Sequence, residues 1–351
     1  MGVSASLKTI AAEAGVSVST VSRAFTRPDL IGERTRSEIL AIAERVGYRP
    51  NRSARGLVTG RTATVGLLVP DIANPFFPPL VRAAEDRAYE RGHAVLLMDT
   101  DEHVDRERAL LADLTGRVDG LVLCSPRSAA GQIRELAEQL PLICVNRTIP
   151  GVTSVSCTTR DGLGEVVDHL HSLGHRRIVY LAGPATSWSD RERRTSVRRQ
   201  ASKRGMELSV LGPYPATFEG GILAGDAVVA SDCTAAVAFD DVVALGAMRR
   251  LSERGYDVPG QYSISGCDDI FFSAMTMPSL TTVATPIAQA GRAAVDLLLD
   301  ALDHPDRRRV QQLTLSGEFI ARGSTGPAPR STATRPARRS RRAPRVGSPL
   351  S

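Results

Sequence analysis

The stretch LKTIAAEAGVSVSTVSRAF, residues 7–25, decides how the chain begins. Leu7, Ile10, Ala11 and Ala14 recur on one helical face and Gly15 interrupts them. Ser17 then opens a second run in which Val18, Val21 and Phe25 again fall three and four apart. Two short helices meeting at a tight corner need a small residue where they cross, a glycine in the turn and an apolar plug six positions later. Ala11, Gly15 and Val21 meet these demands, and theirs is the spacing of a helix-turn-helix that reads DNA. Ser17 caps the second helix, and Ser17, Val18, Ser19, Thr20, Ser22 and Arg23 are its candidate DNA contacts. Their short side chains let a helix lie deep in the major groove, and Arg23 has the fork that pairs with guanine. A plain three-helix bundle with a solvated polar face is the bland alternative, and the coincidence of corner spacing with a local basic excess argues against it.

Moving outward, a third helix over Glu33 to Arg45 offers Ile39, Leu40, Ile42, Ala43 and Val46 to close a small core, and Tyr48 follows it. In GYRPNRSARGLVTGRT, residues 47–62, Pro50 ends one element and Asn51 can cap another. Arg52, Arg55 and Leu57 then sit on a short helical turn with almost no apolar face. Such a turn is unstable alone, so the segment is either a flexible linker or a helix that folds only on a partner; its arginines make DNA the natural one.

The charge distribution points the same way. The net charge is +6, but residues 1–60 carry +4 and residues 321–351 carry +8, which leaves −6 for the middle. Basic ends around a mildly acidic body suit contact with a polyanion. At 351 residues and 42% apolar content the chain is long enough for two or three full cores. No run reaches the roughly 18 apolar residues of a membrane span, and Lys8, Glu13, Arg23, Arg27 and Asp29 interrupt the first thirty residues. A cytoplasmic location is expected. Cys124, Cys144, Cys157, Cys233 and Cys267 are spread singly and read as small buried hydrophobes in a reducing compartment.

From residue 63, short apolar runs alternate with amphipathic segments: TVGLLVP, PLVRAAEDRAYERG, AVLLMDT, RERALLADLTGRV, GLVLC, QIRELAEQL, LICVN, then a second set from EVVDHLHSLG to YSISGC. Continuously apolar strand runs are those of parallel strands covered on both faces, so the body reads as two doubly wound subdomains with a cleft between them. Ligands of such sheets sit beyond the carboxyl ends of the strands. The loops there are DIANPFF (71–77), VNR (145–147), GPATSWSDRERR (183–194), FDD (239–241) and GCDD (266–269). They offer aromatic faces, carboxylates and arginine, the set that holds polyhydroxylated ligands.

The runs LKTIAAEAGVSVSTVSRAF, ERTRSEILAIAERVGYRPNRSARGL and TVGLLVPDIANPFFPPL together resemble the lactose-repressor/galactose-repressor family of bacterial transcription regulators, with the likeness extending to about residue 322. The resemblance implies an all-α helix-turn-helix DNA-binding domain at 1–50, a hinge helix at 51–61 and an α/β periplasmic-binding-protein-like body at 62–322. Within the body it implies one subdomain at about 62–158 and 284–314 and the other at about 159–283 and 315–322, with a disordered Arg/Pro-rich tail over 323–351. It also implies that Leu57 wedges into the minor groove of operator DNA, with Tyr48, Asn51, Arg52 and Arg55 among the DNA-facing residues. The family's effector contacts fall on Phe76, Phe77, Asn146, Ser189, Arg193, Asp240 and Asp268, and Trp188, the only tryptophan, shares the loop of Ser189. Asn146 and Thr158 stand at positions often held by Asp. A homodimeric repressor bound to double-stranded operator DNA, governed by a small effector such as a sugar and needing no cofactor, is the resulting expectation. The leucine heptad that joins some members into tetramers is not visible.

Enzyme readings fail at their motifs. GLGEVV (162–167) has Val167 where a dinucleotide fingerprint needs its third glycine, and neither a phosphate-loop pattern nor a GxSxG elbow occurs. His169, His171 and His175 are not spaced to face one helical side, so no metal is expected. A secreted sugar-binding protein would share the body but would need a signal peptide ahead of it. The tail, ending in RSTATRPARRSRRAPRVGSPLS, has almost nothing to bury; it is either an inert extension or a polycation adding sequence-independent DNA affinity.

Overall fold

The computed structural model describes residues 6–26, 28–48, 61–114, 116–307 and 309–329. Three helices come first, α1 (Leu7–Ala14), α2 (Val18–Thr26) and α3 (Glu33–Arg45). Ile10, Ala11, Val21, Ala24, Ile39, Ile42 and Ala43 form their core, with Phe25, Val46 and Tyr48 packed at its margin. Leu40, expected in that core, is 37% exposed. One residue along a helix turns the side chain by about 100°, so a stripe through Ile39, Ile42 and Ala43 leaves position 40 outside it.

The chain divides into two compact units. Unit 1 takes the residues up to Thr159 together with 186–192 and Thr285–Gly317; unit 2 takes Arg160–Ala185, Arg193–Ala284 and the chain from Glu318. Besides the short excursion of 186–192, the chain passes between units at 159/160, 284/285 and 317/318, where breaks at 158/159, 283/284 and 314/315 were expected. The last lies later because β11 (Gln312–Ser316) stays paired with β5 (Thr153–Thr158) to its end.

In unit 1 a six-stranded parallel sheet runs in the order β11, β5, β4 (Leu142–Val145), β3 (Gly120–Cys124), β1 (Thr64–Val69), β2 (Ala94–Asp99). Its helices are α4 (Phe77–Glu90), α5 (Val104–Leu114), α6 (Ala130–Gln139) and α11 (Ile287–Asp303). β3 and β4 are buried throughout, as continuously apolar parallel strands should be. β2 is equally apolar yet has no buried residue, because it lies at the sheet edge, where Leu96 and Leu97 are exposed. β5, TSVSCT, lacks an apolar run but lies inside the sheet.

Unit 2 holds a four-stranded parallel sheet in the order β7 (Glu207–Leu211), β6 (Arg177–Leu181), β8 (Ala235–Ala238), β9 (Ser263–Ser265). α7 (Arg160–Ser172) and α8 (Trp188–Lys203) supply Leu163, Val166, Leu170, Val197 and Ala201 to the core on one face. α9 (Phe218–Ala230) and α10 (Asp241–Glu253) supply Ala224, Val228, Val243, Ala247 and Leu251 to the other. β10 (Thr282–Ala284) and β12 (Glu318–Ile320) form an antiparallel ribbon.

The segment after β12 corrects the expectation of a disordered tail from residue 323. Ser324 is fully buried, its hydroxyl donating to Ile264 O and accepting from Thr281 N, while its carbonyl accepts from Ile264 N. Gly326 N donates to Ser263 Oγ and Ala328 N to Leu173 O. Backbone groups so committed cannot belong to a solvated coil. Residues 330–351, and the hinge expected at 51–60, lie outside the described residues.

Candidate DNA-reading surface and ligand-binding loops

α1 opens at Ser6, whose Oγ accepts from Thr9 N at 3.2 Å, and closes at Gly15, where φ is +64° and the amide donates to Ala11 O. Left-handed backbone there is what only glycine takes freely, and it turns the chain into α2 within three residues. Ser17 Oγ accepts from Thr20 N (3.1 Å) and bonds Ser19 Oγ (2.7 Å) and Thr20 Oγ1 (2.8 Å). Three candidate contacts thus form a hydroxyl cluster at the amino end of α2, the end of a helix that suits anionic groups. Val18, Ser19 and Arg23 are exposed, and Val21 and Ala24 are buried beneath them. Tyr48 is half-buried, its ring 5.8 Å from that of Phe25, so it also braces the helix core. Asn51, Arg52, Arg55 and Leu57 lie outside the described residues.

In unit 1 the strand order reverses between β1 and β3, the place where ligands of such sheets collect. Phe76 and Phe77, in the loop after β1 and at the first residue of α4, are both buried, with rings 5.1 Å apart edge to face. Asn74 fixes them: its Oδ1 accepts from Phe76 N and its carbonyl from Phe77 N. After β4, Asn146 has φ +57°, and its Oδ1 accepts from Cys157 N at 3.2 Å, which makes Nδ2 its donor end. Ser189 Oγ donates to the Asn146 carbonyl at 3.5 Å, and Trp188 beside it is half-buried at the start of α8.

In unit 2 the corresponding reversal lies between β6 and β8. Arg193, on α8, is buried; Nη2 donates to Asp268 Oδ1 at 2.5 Å, Nη1 to Phe239 O at 2.6 Å, and the guanidinium lies 5.0 Å over the Phe239 ring. Burial works against the Arg193 charge, and the Asp268 carboxylate overrides it and raises the guanidinium pKa. Burial likewise raises Asp268, to about 8, against the pull of Arg193 and with Asp240 and Asp241 adding repulsion. Asp268 has φ +124°, a conformation that costs a non-glycine residue about 1–3 kcal/mol and persists only where the surroundings impose it. Here they do so through the Arg193 pair and the bond from Asp268 N to Val283 O. Asp240 has a structural duty as well: it caps α10, accepting from Val243 N at 2.8 Å.

Several buried polar residues in and around these loops have roles that sequence reasoning did not assign. Asp241 is fully buried and accepts from Thr282 Oγ1 (2.5 Å), Ser273 Oγ (2.7 Å) and Ile270 N (3.0 Å), so it anchors the loop that carries Asp268. A Cβ on Gly266 would collide with Asp241 Oδ1, which is why that approach uses glycine. His175 is buried between Thr234, Ser263 and the Gly326 carbonyl. Glu107, buried in unit 1, receives the amides of Arg127 and Ser128. The doublet FDD announces a polar strand end, but nothing local says which carboxylate turns inward, because the partners of Asp241 lie about thirty or more residues away. Among the described residues no group of three or more His, Cys, Asp or Glu is placed to hold a metal ion.

Residues 6–51 match the family of bacterial regulatory proteins of the lacI type, and residues 167–325 match the periplasmic binding protein-like domain. The chain is 32% identical over 325 residues to the transcriptional regulator PtxS of Pseudomonas plecoglossicida, covering 90% of this chain and 94% of that one. It belongs to the lacI family of bacterial regulatory proteins. Similar solved structures agree. The lac repressor dimer bound to operator and the anti-inducer ONPF superposes with a TM-score of 0.81 at 25% identity, over 92% of this chain and 99% of that one. The complex of the regulator CelR with cellobiose gives 0.68 at 27%, over 91% and 99%. As a lacI-family member the protein is a ligand-controlled, DNA-binding transcription regulator, with α1–α3 as its DNA-binding head and a periplasmic-binding-protein-like body. No described helix is long and apolar enough to cross a membrane.

Proposed function

We propose that this regulator is a homodimeric repressor whose effector is a sugar or sugar derivative. The observation that carries the effector reading is the buried Arg193–Asp268 pair at the carboxyl edge of the unit 2 sheet: a planar donor fork and a carboxylate, held rigid, suit the paired hydroxyls of a polyol. Phe76 and Phe77 supply apolar faces, and Asn146, Trp188, Ser189 and Asp240 complete the candidate contacts. A ligand that binds one body conformation better than another shifts the populations and so changes operator affinity. Ser17 to Arg23 read the operator, with Tyr48, Asn51, Arg52, Arg55 and Leu57 contributing beside them; no cofactor takes part.

Dimerisation is supported by exposed apolar side chains on each unit: Phe271, Phe272, Met275 and Met277 in the loop after β9, and Leu96 and Leu97 on the β2 edge. Sedimentation should give twice the 37.5 kDa chain mass, and a monomer at micromolar concentration refutes it. For the effector, a thermal-shift screen against sugars is repeated with Arg193→Ala and Asp268→Ala. A shift abolished by both, with each unliganded variant folded, supports the reading; a shift that survives both removes these residues from the site.

A further inference from the structure

Unit 1 has a cavity of about 370 Å³ at the amino ends of β4, β5 and β11, the opposite end of its sheet from the loops at 71–77 and 145–147. Leu142 and Ile143 at the start of β4, Val152 just before β5 and Leu297 on α11 give it an apolar wall. The volume lies at the small end of the range that holds small-molecule ligands.

Two opposite charges line this cavity without pairing with each other. Asp300, on the last turn of α11, reaches Arg91 at 3.5 Å, longer than a tight charge-assisted bond. Arg309, just ahead of β11, makes no ion pair among the described residues. The carboxyl end of α11 adds its partial negative charge on the side of Asp300. A ligand with an apolar body and both charges answers all of these groups, whereas a plain acid would face Asp300 and a plain amine Arg309.

The same helical turn holds the entry to the body. Arg61, which follows the segment expected as the hinge, donates from Nη2 to Leu302 O at 2.6 Å, and its Nη1 lies 3.4 Å from Asp303 Oδ1. Leu302 and Asp303 stand between Ala301 and His304, both of which line the cavity. A ligand seated there bears on the turn that anchors Arg61.

We propose that this cavity is a second ligand site, separate from the effector loops, for an α-amino acid with a hydrocarbon side chain, and that its occupancy changes operator affinity through α11 and Arg61. Isothermal titration of the full chain with L-leucine and L-phenylalanine tests it, against isocaproate and isoamylamine, which keep the leucine body with one charge each. An amino acid should bind, and each single-charge analogue should bind at least about 10-fold more weakly. Arg309→Gln and Asp300→Asn, both at exposed positions, should each weaken it about 10-fold, as for the loss of one charge-assisted bond. Asp268→Asn should leave this affinity unchanged, so failure here is distinguishable from failure of the sugar-effector reading. In an operator titration, leucine at a concentration that saturates the wild type should shift affinity at least about 5-fold, and by less in Arg309→Gln. No binding of either amino acid, binding that survives both cavity substitutions or is lost in Asp268→Asn, or an operator affinity that leucine leaves unmoved, overturns the proposal.

Discussion

Replacing Arg193 by Met tests the central feature of unit 2. The substitution keeps an unbranched chain of similar reach but removes the partner of Asp268, leaving a carboxylate buried beside Asp240 and Asp241. Breaking a buried pair from one side costs about 3–5 kcal/mol, and the orphaned Phe239 carbonyl accounts for roughly 1 kcal/mol of that. Asp268→Asn keeps a side chain that tolerates positive φ and removes the charge, leaving Arg193 a neutral acceptor; its cost should be smaller, about 2–3 kcal/mol. The double variant holds no unpaired charge, so it should lose less than the sum of the two, with a coupling of about 2–3 kcal/mol. The pH dependence follows from Asp268. Removing Arg193 raises its folded pKa further, so the folded state keeps a proton that the unfolded state has lost. Stability is then retained at low pH and lost as pH rises, and the Arg193→Met deficit should be larger near about pH 9 than near about pH 5. Urea unfolding of the four proteins measures all of this. Additive losses, or a deficit that grows toward acid, would refute the reasoning.

Three other outcomes are expected. Val21→Ala, at the fully buried crossing of α1 and α2, should cost about 2 kcal/mol and melt the DNA-binding head at lower temperature; calorimetry that leaves the first transition unmoved contradicts this. Gly266→Ala should displace the Asp268 loop and weaken effector binding, because its methyl group overlaps Asp241; unchanged titration would show that the loop yields freely. Burial pushes the His175 pKa below 6.5, so the folded chain keeps it neutral while the unfolded chain takes up a proton. Its contribution is full above that value and declines as pH falls, by at most about 1.4 kcal/mol per unit, and melting curves of His175→Gln should show a shallower acid slope than those of the wild type.

What could be read in advance divides by range. α1 to α3 and the strands GLVLC and LICV were legible because spacing, a turn glycine and unbroken apolar runs are local signals. TSVSCT was not, since an interior strand of small hydroxyl residues has no such run, and AVLLMD promised a burial that its edge position denies. At the candidate site, the Arg193–Asp268 contact spans 75 positions, and in sequence its arginine is one of five in DRERRTSVRR. Only a family resemblance selected it.

The return of the chain to complete both units has a consequence for synthesis on the ribosome. The head closes its core with residues before 49, so it is ready to fold as soon as it emerges. The six-stranded sheet waits for Gln312–Ser316, and the other unit for Ser324 and Gly326. At about 5–20 residues per second, that leaves the head in the cell for roughly a quarter of a minute to a minute before its controlling body is whole. A truncated product would keep the reader and lose the control.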